Sequence, residues 1–133
     1  MWALLADPWH QARWWPRVSR IEAVRDGRFT QVMISARGRA VRADFQTLEV
    51  DPPQLLRWEQ ELAGTPFERL LAEAQTAISL EPAQNGAATT VTIELRQRLL
   101  GWSRLTPFLF KRAARRQLAE ALAGLDAVVS PPV

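Results

Sequence analysis

The side chains best equipped for chemistry gather in four short stretches of this 133-residue chain. The first is DPWHQARWWPR, residues 7–17, which holds the only histidine and three of the six tryptophans. His10, the single imidazole, is the one candidate acid or base of that kind. A lone histidine in a chain without cysteine makes no zinc site, which takes three or four ligands. No serine sits in a nucleophile motif with it either. Tryptophan offers a broad apolar face and one N–H donor, which suits the rim of a half-wet pocket as well as a core plug. Trp15, before Pro16, reads as plug, whereas Trp14 is a candidate to line a cavity.

The second stretch is LRWEQE, residues 56–61. As a strand it puts Trp58 and Gln60 on the face of Leu56 and Leu62, with Arg57, Glu59 and Glu61 opposite. Gln60 then either orients a ligand inside an apolar cavity or bonds a neighbouring strand. Third, Glu73 and Glu94 could pair with arginines across strands. Paired carboxylates can also work as glycosidases do, but nothing in the sequence sets them in one cleft. Fourth, KRAARR, residues 111–116, places its charges on a helix, on the face away from Leu118 and Leu122. Such a basic face could touch anionic lipid or nucleic acid, or simply be solvated. No nucleic-acid motif surrounds it, so no nucleic-acid partner is expected.

The totals exclude several classes. One domain spanning residues 1–133 is the default at this length, with residues 128–133 as a frayed tail. No apolar run approaches the ~20 residues that span a bilayer. The opening MWALLADPWH lacks a basic segment and a long apolar one, so it does not read as a signal peptide. The absence of cysteine excludes thiol chemistry and disulfides, and fits a cytoplasmic location. The net charge of +3 is local. Residues 1–95 carry a net −2 and residues 96–133 a net +5. No Gly-rich phosphate loop, nucleotide fingerprint or metal-ligand cluster occurs, so no cofactor and no metal are expected.

The elements that must position these residues follow from periodicity. WALLAD predicts a very short helix, and Asp7-Pro8 predicts a capped second one through about Arg13, ended by Pro16. From Val18 the period is two. Six runs follow: residues 18–25, 28–37, 39–50, 54–63, 67–81 and 87–100, each bounded by turn residues. Asp26-Gly27 is the strongest hairpin signal among them. Residues 67–81 are ambiguous, since ERLLAEA alone is helix-like, but turn signals on both sides favour a long strand. After Gly101 the period returns to 3.6, and a helix is predicted near 104–127, started or kinked at Thr106-Pro107. Short turns make the sheet an antiparallel meander, and its concave face needs the long helix as cover.

That order resembles the START-like or SRPBCC superfamily, also called Bet v 1-like or helix-grip, and within it the polyketide cyclase/dehydrase and lipid-transport-like proteins of bacteria. The residues carrying the resemblance are WALLADPWHQARWWPRV at 2–18, Asp51-Pro52-Pro53 with Leu56-Arg57-Trp58, Gly86 with Ala88-Thr89-Thr90-Val91-Thr92, and Gln117-Leu118 through Leu125. It covers nearly the whole chain. It implies an α+β helix-grip fold: two short N-terminal helices and a curved antiparallel sheet of about six strands wrapped around a long C-terminal helix. The family normally begins with a strand leading into the WALLAD helix, where this chain starts inside that helix. Either the start is placed too late or truncated, or the protein lacks an edge strand; a missing strand would leave an unpaired sheet edge, which invites pairing with another chain and so a homodimer.

The resemblance also implies an apolar, aromatic or lipid-like small molecule between sheet and helix. Trp14, Phe29, Phe45, Trp58, Gln60, Phe67, Phe108 and Leu109 are the lining candidates. Two other classes stand beside this one. A polyketide cyclase or aromatase-like enzyme would use the same cavity, with His10 as its available acid or base and Gln60 or Glu94 assisting. An interaction module would dimerise through the sheet edge or meet a membrane surface through the basic helix.

Overall fold

A computed structural model describes residues 1–35, 37–86, 88–101, 105 and 107–129. Arg104, Thr106 and the tail from residue 130, all named above, lie outside the described residues. Helix α1 (Trp2–Ala6) is followed by a 3-10 helix over Pro8–Arg13, where the Asp7 carboxylate accepts from the Trp9 N–H at 3.0 Å. Proline at the first helical position needs no N–H partner, so one cap suffices there.

Six strands then form one sheet in sequence order: β1 (Val18–Arg25), β2 (Arg28–Ile34), β3 (Ala40–Asp51), β4 (Leu55–Gln60), β5 (Leu71–Ala83) and β6 (Ala88–Leu99). Every neighbouring pair is antiparallel. Asp26 and Gly27 both take positive φ, 50° and 76°, between paired Arg25 and Arg28. That double requirement of the two-residue hairpin turn is why the Asp-Gly signal is strong.

The ambiguous run 67–81 divides. Thr65 Oγ1 accepts from the Phe67 N–H at 3.2 Å and starts a 3-10 turn over Pro66–Arg69, and the strand begins only at Leu71. A register shift between Leu71 and Glu73 then moves Leu71 into the core and leaves Leu70 37% exposed. An unbroken strand over 67–81 would put Leu70 on the face of Ala74, Thr76, Ile78 and Leu80, and that alternation holds only from Ala74 onward. Similar shifts in β1 and β3 bend the sheet, as bulges do.

On the outer face, Val32 is in register between Arg20 and Arg42, and both arginines bridge to Glu22 at 2.6 Å. Their aliphatic stems flank Val32, which is fully buried on that face. Hydrogen bonds from Arg20 and Arg42 hold the Glu22 carboxyl below the usual carboxylate range.

The inner face carries Phe29, Gln31 and Met33 of β2, Ala43 and Phe45 of β3, Leu56, Trp58 and Gln60 of β4, and Thr76 and Ile78 of β5. An unbroken series of ring contacts crosses it. Trp14 meets Trp15 edge-on at 5.3 Å, Trp15 meets Trp58 at 6.1 Å, Trp58 meets Phe29 at 5.8 Å, and Phe29 stacks on Phe45 at 5.2 Å. Helix α2 (Pro107–Val129) closes this face against β6 and the 3-10 helix.

Only the C-terminal half of α2 is docked. Ala121 and Leu125 are buried, and Leu118 and Val128 pack on the core, so residues 128 and 129 continue the helix instead of fraying. Phe108 and Leu109, in the other half, stay exposed at 66% and 51%.

Candidate functional site

The sheet and α2 enclose a narrow cleft of about 90 Å³. Its walls are Trp15, Met33, Phe45, Trp58 and Leu95, with Gln31, Gln60, Thr76, Gln97 and Gln117 between them. Two wider, open recesses share walls with it. One, about 690 Å³, shares Phe45 and runs past Phe29 to Arg28, Asp44 and Glu61. The other, about 480 Å³, shares Met33 and Gln117 and lies between α2 and the start of β1, against Pro16, Arg17, Leu109, Arg112, Ala113, Arg116 and Glu120. Ligand pockets run roughly 300–1,000 Å³. The cleft alone lies below that range, and each recess that shares a wall with it lies within it.

The polar part of the lining is made of amides. Gln31 is 2% exposed and donates through Nε2 to Oε1 of Gln11 at 2.6 Å, and Gln11 is itself 1% exposed. Gln60, Gln97 and Gln117 make no side-chain hydrogen bond to another described residue. Gln75 belongs to the opposite face and donates to Glu59 at 3.4 Å. Each glutamine amide offers two donors and an acceptor. Among the described residues lining the cleft none carries a titratable side chain.

The buried Gln11–Gln31 pair gives a direct test of how firmly this wall is built. Gln31→Leu strands the Gln11 oxygen in the core and is expected to cost ~1–3 kcal/mol, because a desolvated acceptor then lacks its donor. Gln11→Leu together with Gln31→Leu removes both partners and is expected to lie closer to wild type than the two single costs added. Urea midpoints of the three variants measure this, and strict additivity would show that the pair is not coupled.

The sequence-chosen residues separate into groups. Phe45, Trp58 and Gln60 line the cleft, Phe29 lines the recess beyond Phe45, and Leu109 lines the groove beside α2. Trp14 is 2% exposed and lies behind Trp15, not on the cleft wall. Phe67 sits on the exposed 3-10 turn before β5, and Phe108 is exposed near the start of α2; neither lines these spaces. His10 also lies outside them. Its Nε2 is 3.9 Å from the Asp7 carboxylate. So residues 7–17 divide: Trp14 and Trp15 fill the core, Gln11 anchors Gln31, and Trp9 remains 55% exposed.

The carboxylate candidates stay apart from the cleft. Glu73 pairs with Arg98 at 4.0 Å, and Glu94 is exposed. The basic helix face divides as well. Arg112 and Arg116, one helical turn apart, line the groove, whereas Lys111 and Arg115 do not. Arg116 donates to Glu120 at 3.2 Å, while Arg17 and Arg112 have no ion pair among the described residues. Arg17 also holds a left-handed backbone, φ 64°, where β1 begins. A non-glycine residue there stores of order ~1–3 kcal/mol of strain, which the surroundings must impose.

Gln31, Gln97, Gln117 and Arg17 were missed by reasoning from sequence, and Arg112 was singled out there only as part of a basic helix face. The first two were within reach, since Gln31 lies between Phe29 and Met33 in a period-two pattern and Gln97 lies between Leu95 and Leu99.

Comparison with known proteins agrees with this geometry. The family described as polyketide cyclase / dehydrase and lipid transport matches residues 1–130. Among curated proteins none matches the chain in sequence. A conserved protein from Geobacillus kaustophilus superposes with TM-score 0.73 at 13% identity, over 97% of this chain and 85% of that one. A protein from Arthrobacter aurescens gives 0.72 at 23% identity, over 99% and 78%. The di-domain ARO/CYC BexL of the BE-7585A biosynthetic pathway gives 0.75 at 21% identity, over 98% of this chain and 43% of its own length. At such identities these likenesses speak for the fold.

Proposed function

The chain belongs to the polyketide cyclase/dehydrase and lipid transport family, and from that premise we propose that it binds an aromatic or otherwise apolar small molecule bearing carbonyl or hydroxyl groups. One observation carries the reading. Three glutamine amides, Gln60, Gln97 and Gln117, have no side-chain partner among the described residues and share the cleft with an aromatic wall of Trp15, Phe45 and Trp58. A plain hydrocarbon would leave those amides unanswered when it displaced water, at a cost for each. An oxygenated ring system answers them and still stacks on the aromatic wall.

A cyclase-like role in the same cleft is the second reading, supported by the family and by the ARO/CYC neighbour. Such an activity could rest on holding a flexible chain in one bent shape, with the amides donating to its carbonyls. Side-chain proton transfer has no support in the lining, where glutamine and threonine are the polar residues. Binding is therefore the reading carried forward.

Tryptophan quenching with 1,8-dihydroxyanthraquinone and with anthracene, rings of one size, tests it. The quinone is expected to bind saturably at one site, about ten-fold or more tighter than anthracene, because two answered hydrogen bonds are worth about that much. In the Gln60→Leu/Gln117→Leu variant the gap should close to within about three-fold, from the quinone's side. Saturable binding of neither compound, or equal binding of both, defeats the reading.

A further inference from the structure

The groove between α2 and the start of β1 is chemically unlike the cleft it joins. The cleft is lined by aromatic, aliphatic and uncharged polar side chains, whereas the groove presents Arg17, Arg112 and Arg116 against a single acid, Glu120. Glu120 is engaged by Arg116 at 3.2 Å. Two guanidinium groups, Arg17 and Arg112, therefore face one space without an ion pair among the described residues. They come from opposite walls, one from the strand side and one from the helix. The strained left-handed backbone at Arg17 is a second, independent peculiarity of the same position. Lys111 and Arg115, equally basic and on the same helix, do not line the groove.

Given these walls, and resting on the binding reading above, we infer that the occupant of the cleft carries a carboxylate and that Arg17 and Arg112 hold it at the mouth. The cleft, about 90 Å³, takes only the inner part of such a molecule, and Met33 and Gln117 are the shared wall across which its acidic end passes into the groove of about 480 Å³. Guanidinium groups match a carboxylate through paired N–H donors. Because both arginines are exposed, salt screens the attraction strongly.

The test uses anthraquinone-2-carboxylate and anthraquinone-2-carboxamide, alike in shape and differing in charge. At low salt the wild-type protein is expected to bind the carboxylate about ten-fold tighter than the amide, and at high salt less than about three-fold tighter. Arg17→Gln/Arg112→Gln should abolish the preference, chiefly by weakening the carboxylate. Lys111→Gln/Arg115→Gln removes the same charge from outside the groove and should keep most of the preference. Equal binding of the two probes, or a preference that survives in the first variant or falls equally in the second, overturns the inference while the binding reading stands. Binding of neither probe overturns both. Arginine-dependent sedimentation with phosphatidylglycerol vesicles, without a carboxylate preference in solution, overturns it in favour of a membrane headgroup.

Discussion

Trp58→Ala is expected to lower stability by ~3–5 kcal/mol, the largest effect of any single change in the cleft. Trp58 is 1% exposed and meets Trp15 and Phe29 edge-on, so its removal breaks the series of rings at its centre. The loss has two parts: the transfer of a large apolar side chain to water, and the void left because Trp15 and Phe29 belong to different elements and cannot both close in. Domains of this size have ~5–15 kcal/mol in total, so the variant should sit near the edge of folding at 37 °C. Trp58→Phe keeps a ring against both neighbours and is expected to cost ~1–2 kcal/mol. Urea denaturation of both variants measures this. A loss below ~1 kcal/mol for Trp58→Ala would mean that the cleft can collapse around the missing ring. The ring then could not be the rigid wall that ligand binding requires.

The same residue shows what sequence alone conveys. Period-two spacing in LRWEQE put Trp58 and Gln60 on the inner face with Leu56, and register confirms it: Trp58 pairs with Thr76 and Gln60 with Phe45. The hairpin at Asp26-Gly27 was equally legible, because few dipeptides tolerate two consecutive positive φ angles. Alternation fails where a bulge intervenes. One extra residue between Leu71 and Glu73 exchanges the faces, so Leu71 is buried where Leu70 was expected. Nothing local announces that shift, since both positions are leucine.

The helix was harder to read for another reason. Its apolar spacing marks which residues can face a core, but not how far along its length the core extends. Phe108 and Leu109 fit the pattern as well as Ala121 and Leu125, yet only the latter pair is buried. Likewise a run such as KRAARR shows a basic helix, while its division between groove and solvent depends on the chain at Arg17, almost a hundred residues away. The partners that give Arg112 and Gln117 a role are supplied by tertiary structure.

What sets the height of α2 over the sheet is Gly124, and Gly124→Ala is expected to be the most disruptive small substitution in the helix. A Cβ at this position would overlap the carbonyl oxygen of Trp14 and crowd its Cα. In a free helix the change would help by ~1 kcal/mol, since alanine is the better helix former. The clash decides otherwise, because its partner is backbone, fixed on one side by Trp14 N–H donating to Gln11 O at 3.2 Å and on the other by the Trp14–Trp15 contact. Overpacking of this kind costs ~1–3 kcal/mol beyond any gain in propensity, a fall in Tm of ~5–10 °C for a domain of this length. Ala123→Gly, one residue away on the exposed side, is expected to cost only the ~1 kcal/mol of lost propensity. Raising α2 at Gly124 would also lift Gln117 and Arg112, which ride on the same rod two and three turns away. Weaker binding of 1,8-dihydroxyanthraquinone should therefore accompany the drop in Tm in Gly124→Ala, but not in Ala123→Gly. Unchanged Tm and unchanged binding in Gly124→Ala would mean that α2 does not rest on Trp14, and that the width of the cleft is set elsewhere.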